Sequence, residues 1–194
     1  MLRNTLLLLF ISFQLSAQVK DISSMQVYKG DTINVKDAAG LKQGLWRKYY
    51  LNDTLFSETW YKNDKPVGIS RSFYQSGKLK TEVKTGKEGK RGVAVNYYES
   101  GKVMARGNYL DMQKDSTWFY YGENDSLKSI EAYKSGKPHG TWKVYYENGK
   151  LAEEKNYVNG LREGPYKQFN NDGVLLFEMS YRRIKKMVLS NYIT

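Results

Sequence analysis

The 194-residue chain contains no cysteine. Disulfide bonds, a lipid anchor on a Cys side chain and the usual tight zinc sites are therefore excluded. It has one histidine, His139, which alone makes neither a metal site nor a catalytic dyad. Prolines number three; two of them, Pro66 and Pro138, fall between β-rich runs, where no ladder N–H is needed. Apolar runs are short. Only the first twenty residues carry one of any length, and it falls well below the ~20 residues that a membrane-spanning helix needs. Acidic residues are outnumbered, 20 against 31 Lys and Arg, for a formal charge of +11. That surplus favours anionic partners, namely an acidic protein, an acidic glycan or lipid headgroups.

The opening "MLRNTLLLLFISFQLSAQVK" has a charged start at Arg3, an apolar stretch from Thr5 to Leu15 and small residues at Ser16 and Ala17. This is the layout of a secretory signal peptide, residues 1–17, cleaved after Ala17. The expected location of the mature chain is the periplasm, the outer envelope or outside the cell, and nucleic acid is not an expected partner there. No transmembrane span is expected in the mature chain.

What the chain has in quantity is aromatic side chains, 17 Tyr, 7 Phe and 4 Trp, and they are periodic. Blocks of 24 residues start at Gly44, Gly68, Gly92, Ser116, Gly140 and Gly164 without a gap. The sixth position of each block is aromatic: Tyr49, Phe73, Tyr97, Tyr121, Tyr145, Phe169. The twelfth is aliphatic: Leu55, Leu79, Val103, Leu127, Leu151, Leu175. The ninth and tenth form a turn pair, such as Asn148-Gly149 or Asn52-Asp53. An Asn-Gly between β-rich runs predicts a hairpin with a two-residue type I′ turn. A two-residue turn would set Tyr146 opposite Leu151 and would put Trp142 and Tyr157 on one face.

The expected fold is all-β: an elongated, open antiparallel meander of about six 24-residue hairpin repeats in a single-layer twisted sheet. Residues 18–43 read as a degenerate N-terminal unit, with "MQVY" and "TINVK" as strand candidates. Residues 44–187 hold the six repeats. Residues 188–194 are a C-terminal cap, within a basic tail from Arg182 suited to shielding an edge strand.

"GTWKVYYENGKLAEEKNYVNGLREG" resembles the MORN-repeat variant found in many bacterial proteins, often labelled YwqK-like antitoxins. The shared pattern is Gly-x-Trp-x-x-Tyr-Tyr, a turn with Gly, Leu, then Tyr and a closing Gly. It runs from Gly40 to about Lys185. The resemblance implies an elongated sheet of hairpins.

No cofactor, metal or catalytic residue is expected. Glu58, Glu82, Glu154 and Glu178 recur at one block position. Adjacent copies would stand close enough for a carboxylate pair, but recurrence in register fits a column of charges paired with nearby bases. "GKEGKRG" lacks the spacing of a phosphate-binding loop. The third position breaks the rule more usefully: Trp46, Ser70, Ala94, Trp118, Trp142, Tyr166. Two small residues between large ones suggest a recess floored by Ser70 and Ala94 and walled by Trp46 and Trp118, with Lys90 and Arg91 nearby. The expected function is that of an exported, non-catalytic module that binds a protein or an anionic envelope component, or acts as a scaffold. The alternative is an antitoxin-like inhibitor of a secreted or periplasmic toxin.

Overall fold

A computed structural model describes residues 26–28, 30–86 and 88–182. The signal segment 1–17 and the cap 188–194 lie outside these residues. The chain divides into two compact units, one ending at Gly89 and one beginning at Lys90. Both are all-β, and in both the strands are antiparallel and follow one another in chain order.

The first unit opens with three short strands, β1 (Gln26–Tyr28), β2 (Asp31–Ile33) and β3 (Val35–Lys36), which match the two stretches expected to form strands except that β2 begins one residue earlier, at Asp31. Two long hairpins follow, β4 (Lys42–Tyr49) with β5 (Leu55–Lys62), and β6 (Lys65–Phe73) with β7 (Leu79–Thr85). The second unit contains four more hairpins. These are β8 (Arg91–Tyr97) with β9 (Val103–Leu110), and β10 (Gln113–Tyr121) with β11 (Leu127–Lys134). After the short β12 (Lys137–Pro138) come β13 (Gly140–Tyr145) with β14 (Leu151–Val158), and β15 (Leu161–Phe169) with β16 (Leu175–Tyr181). Six blocks of sequence are six hairpins.

The turns differ from the type I′ expectation. At the tenth block position Asp53, Gly77, Gly101, Asp125, Gly149 and Gly173 have positive φ, whereas the ninth-position residues do not. In the fifth block Gly149 N–H donates to the Tyr146 carbonyl and Tyr146 N–H to the Lys150 carbonyl, both at 2.9 Å. This is a three-residue loop, a type I turn followed by one left-handed residue. Tyr146 therefore faces Lys150, and it is Tyr145 that opposes Leu151, with a register shift between Val144 and Tyr145. The same shift recurs in every hairpin, so the sixth position always opposes the twelfth. Type I′ turns do occur, but in the links between hairpins. Asn63-Asp64, Asp111-Met112, Ser135-Gly136 and Asn159-Gly160 each have two consecutive positive φ values. Pro66 and Pro138 sit beside such links, opposite Tyr61 and Tyr133.

Among the described residues the buried apolar set is small: Ile33, Trp46 and Tyr49 in the first unit, and Ala94, Ala105, Trp118 and Ala152 in the second. Most strand residues are half-buried. Cohesion then comes mainly from cross-strand side-chain pairs, each worth roughly 0.2–1 kcal/mol and repeated along the sheet.

The outer edge of β4 is closed by a side chain. Asn34, 1% exposed, has φ 60°, a conformation that Asn tolerates better than most residues. Its Nδ2 donates to the Arg47 carbonyl at 3.2 Å and its Oδ1 accepts from Arg47 N–H at 2.9 Å. The amide side chain thus reproduces the two bonds a neighbouring strand would make, and no free edge remains at that point for another chain to extend.

Candidate functional site

Two arrangements stand out, one repeated and one unique. The repeated one is an aromatic column built from the third and eighteenth block positions. In the second unit Trp118 meets Tyr109 edge-on at 5.1 Å between ring centroids, and Trp142 meets Tyr133 and Tyr157 at 5.2 and 4.8 Å. Trp142 and Tyr157 do share a face, as expected. Tyr166 ends the column against Phe177 and Tyr181. In the first unit Trp46 meets Tyr61 at 6.1 Å.

A cation two residues before the block start serves this column. Lys42 lies 4.9 Å from both the Trp46 and Tyr61 rings, and Arg162 lies over Tyr166 and Tyr181. The fullest case is Lys114, enclosed by Trp118, Tyr120 and Tyr133 at 4.8, 5.1 and 5.0 Å. Its ammonium also donates to the Tyr120 hydroxyl. Burial pushes the Tyr133 phenol well above its ordinary range, and its hydrogen bond to Glu131 at 2.6 Å adds to that effect. These rings face one another and their own cations, so the column is mainly architecture.

The unique arrangement lies on the opposite face of the first unit. Cross-strand register places Arg47 opposite Glu58, Glu58 opposite Arg71, and Arg71 opposite Glu82. The four charges alternate in sign along one row. Arg71 bridges both carboxylates, Nη1 to Glu58 at 3.3 Å and Nε to Glu82 at 2.9 Å, and Arg47 reaches Glu58 at 3.5 Å. The Arg71 hydrogen bond holds the Glu82 carboxyl below its ordinary value. The Glu58 and Glu82 carboxylates thus share a guanidinium. Glu154 and Glu178 pair with Lys143 and Lys167 at 3.8 and 3.5 Å.

Next to this row lies a second one, Leu45 opposite Trp60, continued by Ile69, two residues before Arg71. Trp60 is 53% exposed. Its indole has no hydrogen-bond or ring partner among the described residues.

The residues singled out for a recess are distributed as follows. In the first unit Trp46 is buried, its N–H shared between the Val35 and Gln43 carbonyls at 3.2 Å, and Ser70 lies between Thr59 and Val83. In the second, Lys90 and Arg91 are exposed, and Ala94 is buried opposite Gly107. Trp118 is fully buried with its N–H on the Asn108 carbonyl at 3.0 Å. Its ring rests against Gly107, a neighbour the sequence reading overlooked. A glycine inside a β-rich run marks such close approaches. Trp60 was overlooked too, because it lies outside the columns that repeat.

His139 accepts a long hydrogen bond from Asn159 N–H at 3.4 Å. Among the described residues no helix is long and apolar enough to cross a membrane, and no three His, Asp or Glu side chains gather as metal ligands would.

Among curated proteins no match is found. Two solved structures are similar in part: a mutant of S. aureus TarM in complex with Fondaparinux, alpha-GlcNAc-glycerol and UDP, at 17% identity and TM-score 0.36, and TarM itself, at 16% and 0.36. The matches cover 50% and 49% of this chain but 19% of each TarM chain, so this protein spans about a fifth of those relatives' length. The MORN repeat variant family matches residues 66–85, 90–111, 138–159 and 162–183. Each match starts at or beside the link preceding a hairpin block, so the family's unit is the structural unit seen here. Over these four segments the chain carries MORN repeats of the variant type.

Proposed function

We propose that this chain is an exported, non-catalytic module that binds a protein or an anionic component of the cell envelope, or holds such partners as a scaffold. MORN repeats are generally binding and scaffold modules. The observation that carries the reading is a division of labour between block positions. Aromatic and turn residues that recur every 24 positions mostly stack or close turns, whereas Trp60, which does not recur, stands on the sheet surface. A repeat sheet of this kind offers contacts from several repeats at once.

The surplus of Lys and Arg supports an anionic partner. The signal-like start supports export, with cleavage after Ala17. The test is affinity capture from an envelope fraction with the mature chain at low and moderate salt, together with mass determination of the exported N-terminus. A partner lost at moderate salt indicates recognition by charge, and one that persists indicates the aromatic face. Capture of a toxin whose activity then falls would replace the scaffold reading with the antitoxin-like one. Capture of nothing at either salt, or retention of residues 1–17, counts against the corresponding part of the proposal.

A further inference from the structure

The 24-residue period acts as an internal control. A residue that the hairpin needs recurs at its block position, so a residue that neither recurs nor packs must be explained otherwise. Trp60 occupies the seventeenth position. Its five counterparts are Lys84, Asn108, Ala132, Asn156 and Ser180, all small or polar. The architecture therefore asks for no large ring there, and the ring is 53% exposed. Leaving about half of the indole in water forfeits part of the roughly 1.5–3 kcal/mol that full burial of a large apolar side chain yields.

The neighbouring row is equally specific to this unit. Nowhere else among the described residues does one guanidinium bridge two carboxylates. The side chains are partly covered, with Glu58 20%, Arg71 37% and Glu82 17% exposed. Each charge is held in place by its neighbours, so a ligand meets fixed donors and acceptors and little further ordering is required. The row holds two Arg and two Glu and carries no net charge. Lys84, 3.4 Å from Glu82 and 67% exposed, adds a solvated cation at the rim.

We propose that this face of the first unit binds a neutral glycan, with a pyranose ring stacked on Trp60 and its hydroxyls hydrogen-bonded to Arg47, Glu58, Arg71 and Glu82. The proposal rests on the binding-module reading and goes beyond its protein or anionic partners by adding a neutral ligand for one face. A pyranose presents an apolar C–H face to the indole and hydroxyls around its rim. Each hydroxyl both donates and accepts, so it matches a row in which carboxylates accept and guanidinia donate. A strongly anionic ligand would have to compete with Glu58 and Glu82 for the guanidinia. A purely apolar partner would strand four charges.

The test is titration of the mature chain with cellohexaose, xylohexaose, mannohexaose and chitohexaose, followed by tryptophan fluorescence and calorimetry. Saturable binding of at least one is expected. Trp60→Ala should weaken it about tenfold or more, equivalent to about 1.4 kcal/mol, and Trp60→Tyr should restore part of it. Glu82→Gln should weaken it without changing the circular dichroism spectrum. Because Trp60 is exposed, Trp60→Ala is expected to fold normally, and its spectrum checks this. No binding by any hexaose at millimolar concentration, or binding untouched by Trp60→Ala, overturns the site. So does tighter binding of a hexauronate than of any neutral chain. Partner capture that survives Trp60→Ala in that event leaves the module reading standing.

Discussion

A Cβ atom added to Gly107 would lie 2.3 Å from a ring carbon of Trp118. The largest fully buried side chain among the described residues therefore rests on a residue with no side chain. Gly107 has an ordinary strand conformation, so its role is to leave space and not to allow a positive φ. Ala94, its cross-strand partner, is small and buried for a related reason. We predict that Gly107→Ala destabilises the second unit by about 1–3 kcal/mol through overpacking. Urea unfolding measures the loss, and a red shift of tryptophan emission would report that Trp118 has been displaced. An unchanged midpoint would mean that the ring has other room to move.

Asn34 makes a second prediction. Its side chain satisfies both backbone groups of Arg47 in a fully buried position. Asn34→Gly keeps the positive φ but removes the amide. The expected cost is about 1–3 kcal/mol, because buried N–H and C=O groups lose their partners. Hydrogen exchange at Arg47 N–H should accelerate strongly, while Trp118 stays protected. Equal exchange in both proteins would show that water or the backbone substitutes for the amide.

The caged ammonium of Lys114 leads to a third. Three rings lie within 4.8–5.1 Å of it. Lys114→Gln keeps much of the aliphatic stem and removes the charge, so the loss reads the cation–π contribution. About 1–2 kcal/mol is expected, with Lys114→Arg retaining most of the stability. Thermal melts of the three proteins decide it. If Gln and Arg behave alike, the stem and not the charge fills the cage.

Acid should act through the charged row. Arg71 lowers the Glu82 carboxyl in the folded state below its ordinary value of 4.5. A carboxyl lowered by folding contributes its full stability above the unfolded value and loses it as pH falls through the folded one. Stability should therefore be flat above about pH 5 and decline below about pH 4.5. Glu82→Gln should lower the neutral plateau and make the acid limb shallower. Melting temperatures from pH 3 to 7 test this, and parallel acid limbs would count against the assignment.

Much of this was legible in advance. Tyr145 and Leu151 recur every 24 residues because every hairpin pairs those two positions across its turn. The alternation that puts Trp142 beside Tyr157 needs only the period of two of a β-strand. The turn type was misjudged because Asn-Gly fits both a type I′ turn and a type I turn followed by a left-handed glycine. The choice depends on how the flanking strands twist and bulge, and that is a property of the pair. The true type I′ links, such as Asn63-Asp64, lie outside the strongest hairpin signal.

Sequence alone determined the repeat, the all-β fold and the number of hairpins, because period and turn chemistry are local and six copies reinforce one another. Tertiary structure decided which residues are spent on holding the sheet and which remain available. Trp118 is a large aromatic in sequence, but it is consumed by the hollow over Gly107. Trp60 is another, and the strand pairing leaves it in water beside a row of paired charges. Whether a ring is buried or presented depends on what stands across and beside it, and those neighbours come from strands joined only by folding.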